Sequence, residues 1–227
     1  MAVSANAYPF PARLVVVADR DYVGDDDRWL ALIKEIAAAA VGRPVVIQVR
    51  AKGVSRSHAS ELAARAREAV PGDVPLLLNG DAALAEHLGY SGVHWPEADI
   101  PASRPPQALA WRSAAVHSIE AARVAEQAGA DFAVFGAVYA PGSKPGDGVG
   151  VEALRAVACT TSLPVFAIGG IHPEQVAECL RAGAAGVAAV SGILGAPDVR
   201  AALDRYCEAL AMYVEPAAYP AQEGRSR

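Results

Sequence analysis

The sequence predicts a single closed (β/α)8 barrel, and three observations carry that prediction. Short apolar, β-branched runs alternate eight times with Ala-rich helical runs. Several of these runs are continuous, such as the valines at 15–17 and the leucines at 76–78, as suits parallel strands buried on both faces. The length of 227 residues lies close to the ~250 typical of such a barrel. An open doubly wound sheet is the competing fold. It is disfavoured by the eight units and by the lack of an early Gly-rich dinucleotide loop.

The elements follow in order. A strand is expected over 14–18 and a helix over 29–40, then a strand over 45–49 and a helix over 57–70 that starts from a Ser cap. The third strand is read at 76–78 with a short helix over 82–88, and the fourth at 92–95. The fifth, the weakest pattern, is placed at 108–114 before a helix over 119–128. Residues 132–138 form the sixth strand and 151–159 its helix. The seventh strand is 165–168, and its helix over 173–182 carries Pro in the first turn. The eighth is 187–190, closed by a helix over 198–213. Residues 1–12 read as an N-terminal extension, 13–213 as the barrel, and 214–227 as a frayed tail.

Composition excludes several functions. Hydrophobic residues make up 53% and charged residues 20%, enough apolar material for one large core. The net charge of −5 and the lack of a Lys/Arg run argue against a nucleic-acid partner. No segment approaches the roughly 18–20 apolar residues of a membrane span. The N-terminus has no basic region followed by an apolar stretch, so a cytoplasmic location is expected. Cys159, Cys179 and Cys207 are widely spaced on helical patterns and read as small buried hydrophobes.

In a closed barrel, functional residues belong at the C-terminal ends of the strands. After the seventh strand stand Gly169 and Gly170, and after the eighth Ser191 and Gly192. Glycine lets the backbone approach a ligand, and its N–H groups can donate to phosphate oxygens. A tight turn alone would explain each glycine singly; both pairs on adjacent final strands point to phosphate. Gln48, Arg50 and Lys52 share one face of the second strand and could hold an anion or a polar ring, or else be solvated charge. The Gly/Pro-rich segment 139–148 reads as a cover loop with Ser143 and Lys144 as anion donors, or as a plain surface loop. His94 and His117 follow the fourth and fifth strands and are the natural acid–base candidates, although His117 could equally orient its helix. Glu97 and Asp99 are a weak metal signal, and His58, His87 and His172 read as surface or structural.

An ordered set of motifs resembles the family of thiamine-phosphate synthases and their TenI (thiazole tautomerase) relatives, from roughly Leu14 to Tyr206. The set runs through Gln48, Arg50 and Lys52, Asn79-Gly80, Gly92 to His94, Val116 to Ser118, Asp131, Phe135-Gly136, Ser143-Lys144, Gly169-Gly170 and Gly186 to Ser191. The resemblance implies a TIM barrel that binds thiazole phosphate on its last two βα loops, with Gln48, Arg50, Lys52, Asn79 and Ser143 as substrate contacts. It leaves a homodimer open.

The synthase branch joins a pyrimidine diphosphate to thiazole phosphate with Mg2+, and the resemblance makes Asp99 a metal ligand only in that case. This sequence departs from it at Gly80, where the branch has Asp, at Ala115, where it has Ser, and at Pro141, where it has Thr. The tautomerase branch shifts a proton on a thiazole carboxylate phosphate and needs no cofactor. Asn79-Gly80, Pro96 and His117-Ser118 look more like it, yet its catalytic His is Ala137 here. The expectation is a thiazole-phosphate-binding enzyme nearer the tautomerase branch, with His94, His117 and Lys144 as catalytic residues and Glu97 a further base by position. A synthase and a non-catalytic thiazole or thiamine phosphate binder are the alternatives.

Overall fold

The computed structural model describes residues 10, 12–142 and 146–213. Its eight parallel strands close into a barrel in chain order, with the last hydrogen-bonded to the first. They are β1 (Leu14–Asp19), β2 (Val45–Arg50), β3 (Leu76–Asn79), β4 (Gly92–Trp95), β5 (Trp111–Val116), β6 (Phe132–Gly136), β7 (Val165–Ile168) and β8 (Gly186–Ala189). The helices are α1 (Arg20–Val23), α2 (Asp26–Ala40), α3 (Arg56–Ala69), α4 (Ala82–His87), α5 (Ile119–Gln127), α6 (Val151–Ala158), α7 (Val176–Arg181), α8 (Ser191–Leu194) and α9 (Val199–Met212). None of the described helices is long and apolar enough to cross a membrane.

Side chains alternate across each strand and divide the core in two. Val15, Val17, Val46, Leu77, Phe132, Val134, Phe166 and Ala188 point into the barrel, while Leu14, Val16, Val45, Ile47, Leu76 and their equivalents pack under the helices. Phe10 and Ala12, in the segment read from sequence as an extension, are buried in the inner cluster. The Phe10 ring lies 4.4 Å from that of Phe132, 5.0 Å edge-on to Trp111 and 6.0 Å edge-on to Phe166. It closes the floor of the barrel with aromatic packing. Side-chain caps start most of the longer helices: Asp25 for α2, Ser55 for α3, Ser118 for α5 and Asp198 for α9.

Three sequence expectations shift. The fifth strand begins at Trp111 rather than 108, because side chains satisfy the preceding backbone: Glu86 accepts from the Ala108 N–H, and Arg112 donates to the carbonyls of Gln107 and Leu109. The helix expected over 173–182 is a 3-10 turn, Pro173–Gln175, followed by α7. Of the cysteines only Cys179 is buried; Cys159 is exposed and Cys207 half-buried. The frayed tail expected over 214–227 and most of the expected extension, residues 1–9 and 11, lie outside the described residues.

Candidate active site

Strand alternation decides what reaches the mouth of the barrel. With Val17 inward on β1, Asp19 follows; Val46 on β2 brings Gln48 and Arg50, and Leu77 on β3 brings Asn79. His94 comes from β4, and Ala115 and His117 continue the inward row of β5. With the loops after β7 and β8 they line a cavity of about 260 Å3. This is the end of the barrel where such folds carry their chemistry.

The predicted Gln48, Arg50, Lys52, Asn79, His94, His117, Gly169, Gly170, Ser191 and Gly192 all line this cavity. Asp99 does not; it is exposed on the 3-10 turn Glu97–Asp99. Ser143 and Lys144 lie outside the described residues. What is described of the 139–148 loop is tied down at its neck. Val138 and Tyr139 donate to the Ile168 and Gly169 carbonyls, and Val149 and Gly150 donate back to Ala137 and Val138. His172, read as structural or surface, reaches the cavity rim. His58 bonds Asp26, and His87 ends α4 in solvent.

The glycines after β7 have a packing reason as well as room for a ligand. Gly169 and Gly170 have φ of +102° and +60°, and a Cβ there would sit 2.5 Å from Ala137 Cα and 2.2 Å from the Ala140 carbonyl oxygen. The β6 and β7 loops therefore press together beside the cavity. In the resulting wall, the described residues Gly169, Gly170, Ser191 and Gly192 carry no charged side chain.

The basic side lies on a different arc. Arg50 and Lys52 rise from β2 and His117 from β5, separated from the glycine wall by β1 and β6. Arg50 is ion-paired with Asp19, a carboxylate the sequence reading did not use. Gln48 is buried and donates to Asn79 Oδ1 at 3.2 Å, which fixes both amides. His117 donates its backbone N–H to Glu97 Oε2 at 2.7 Å, and its Nδ1 lies 2.6 Å from the same oxygen.

His94 is fully enclosed, its Nδ1 2.9 Å from Ser113 Oγ. Burial, and secondarily the charges of Arg50 and Lys52, push its pKa down to about 3. It is a neutral hydrogen-bonding group near pH 7, which does not suit the proton-cycling role expected of it. The folded pKa lies below the unfolded value of 6.5, so between these values the unfolded chain takes up a proton that the fold refuses. Stability is therefore fullest above the unfolded pKa and falls as pH drops toward the folded one. Urea unfolding of the wild type is expected to lose about 1 kcal/mol more than His94→Gln between about pH 7 and pH 5.5. Parallel curves for the two proteins would contradict this.

Mg2+ takes octahedral oxygen ligands, commonly one or two carboxylates with substrate phosphates. The two carboxylates of the cavity are committed, Asp19 to Arg50 and Glu97 to His117. Gly80 offers no side chain, and Asp81 caps α4 and pairs with Arg56. No group of three or more His, Cys, Asp or Glu among the described residues is placed to hold a metal ion. The residues present do not fit a protein-built Mg2+ cage.

The sequence pattern of the family described as thiamine monophosphate synthase matches residues 14–193. A thiamine-phosphate synthase of Roseiflexus sp. (strain RS-1) is 35% identical over 216 residues, 88% of this chain and 87% of the relative. One from Natronomonas pharaonis is 35% identical over 185 residues, covering 78% and 86%. The solved thiamine phosphate pyrophosphorylase from Pyrococcus furiosus superposes with a TM-score of 0.73 at 27% identity, covering 89% of this chain and 96% of that one.

Proposed function

Because the chain belongs to the thiamine monophosphate synthase family, we propose that it is a thiamine-phosphate synthase, joining a pyrimidine diphosphate to thiazole phosphate. One observation carries this choice: the cavity has two anion-receiving arcs. The uncharged wall of Gly169, Gly170, Ser191 and Gly192 suits a monophosphate, while Arg50, Lys52 and His117 suit a diphosphate. A tautomerase acting on one phosphorylated ring needs only the first arc. The relatives named above carry the synthase name, and Ala137 supplies no base where the tautomerase branch has its His. The reading nearer the tautomerase branch accordingly gives way to the synthase.

In this reading the glycine wall holds thiazole phosphate, and the Gln48–Asn79 amide pair orients the pyrimidine by hydrogen bonds. Arg50, held by Asp19, and Lys52 take the diphosphate, and bound rings positioned this way gain from orientation. Lys144 and Ser143 are proposed to add donors from the cover loop. Mg2+ is the cofactor this reading implies; it would neutralise charge on the diphosphate without a protein-built cage, since Asp19 and Glu97 are committed to Arg50 and His117. On the protein's side that task falls to the basic arc. Purified protein given both substrates and Mg2+ is expected to release thiamine phosphate and pyrophosphate in equal amounts. No product at saturating substrates would sink the synthase reading. Aromatisation of the thiazole carboxylate phosphate instead would return the chain to the tautomerase branch.

A further inference from the structure

Glu97 has no role in the binding scheme above, yet its pairing with His117 of the basic arc is built like a proton-transfer device. One carboxylate oxygen receives both the backbone N–H and lies at Nδ1 of the same residue, so the ring is fixed against its own main chain. Glu97 comes from the turn after β4 and His117 from the end of β5, so neighbouring strands hold the two partners. With Nδ1–H directed at the carboxylate, Nε2 is the ring nitrogen left for the cavity that both residues line.

The other basic groups of that arc are unsuited to giving up a proton. Arg50 is engaged by Asp19, and a guanidinium does not deprotonate. A lysine ammonium is by nature a weaker acid than an imidazolium, and His94 is buried and neutral. The cavity's carboxylates are also unavailable as a metal cage. A departing diphosphate needs its growing charge met, and the described residues offer no metal cage to meet it.

Resting on the synthase reading, we propose that His117 is the general acid that protonates the departing diphosphate, with Glu97 as its positioning residue. The bond between the pyrimidine methylene carbon and the diphosphate oxygen breaks, and its electron pair leaves with the oxygen. That oxygen takes the proton from Nε2 of the imidazolium. The lone pair of the thiazole ring nitrogen forms the new bond to the methylene carbon, giving the thiazolium. The neutral imidazole then regains a proton from water.

Two electrophiles test this, each offered with thiazole phosphate: the pyrimidine methyl diphosphate, and the pyrimidine methyl chloride, whose leaving group departs without a proton. With the diphosphate, His117→Gln is expected to slow turnover about 100-fold and Glu97→Gln about 10-fold, with the chloride neither more than about 3-fold. Calorimetric titration with thiazole phosphate, whose wall His117 does not form, verifies that the variants are folded. Equal slowing with both electrophiles, or none with either, overturns the inference while the synthase reading stands. No thiamine phosphate from wild type with either electrophile overturns that reading and the inference together.

Discussion

Ser191→Asp is expected to weaken thiazole phosphate binding about 100-fold, a loss of about 2.7 kcal/mol, while affinity for the unphosphorylated thiazole alcohol stays unchanged. Ser191 opens the short helix after β8 and faces the cavity beside Gly192. A carboxylate there meets the phosphate as a like charge, and two unit charges about 4 Å apart interact by about 4 kcal/mol at an effective dielectric of about 20. The substitution is preferable to changing Gly169 or Gly170, where any Cβ collides with the β6 loop and confuses folding with binding. Aspartate is also compatible with the first turn of a helix. Calorimetric titration of both ligands into wild type and variant reads the effect. Equal losses for the alcohol and the phosphate would mean a disturbed cavity, and no loss for the phosphate would place it elsewhere.

The largest stability effect is expected at the opposite end of the barrel. Phe10→Ala should cost about 3–5 kcal/mol in chemical denaturation, the range for removing a buried aromatic ring and leaving a cavity. Phe10 is 4% exposed and touches aromatic rings from β5, β6 and β7. Its neighbours are strand side chains that cannot collapse inward without breaking barrel closure, so little relaxation offsets the hole. Phe10→Leu should recover part of the loss because it restores volume. A loss below about 1 kcal/mol for Phe10→Ala would show that the floor closes without it.

The strands were legible because both of their faces are buried, which leaves continuous apolar runs that sequence displays directly. The start of the fifth was not, since the loop before it is held by Glu86 and by the Arg112 guanidinium, partners that local pattern does not reveal. Phe10 hides for a similar reason: a lone aromatic before the first strand has no periodicity to betray its burial. At the mouth, the strand-end rule reached Gln48, Arg50, His94 and His117, because alternation carries each inward from a recognisable strand, while Asn79 entered only through the family resemblance. It missed Asp19, whose neighbours Arg20 and Asp21 make the segment look like solvated charge rather than a strand end.

Pairing was the harder matter. Ser113 meets His94 only through the β4–β5 register, which sets those two residues side by side. That register, with burial, turns His94 from a candidate acid into a neutral donor or acceptor. Glu97 and His117 were each visible, but their two-point contact depends on how the turn after β4 folds over the end of β5. The placing of Asp99 outside the cavity lining depends on the same turn.

The central claim is that the wall built by the β7 and β8 loops recognises a phosphate carried by a thiazole. Titrating wild-type protein with thiazole phosphate and with the corresponding alcohol tests it most directly. The phosphate is expected to bind about 100-fold more tightly, consistent with several charge-assisted N–H contacts. Equal affinities for the two ligands would contradict the account.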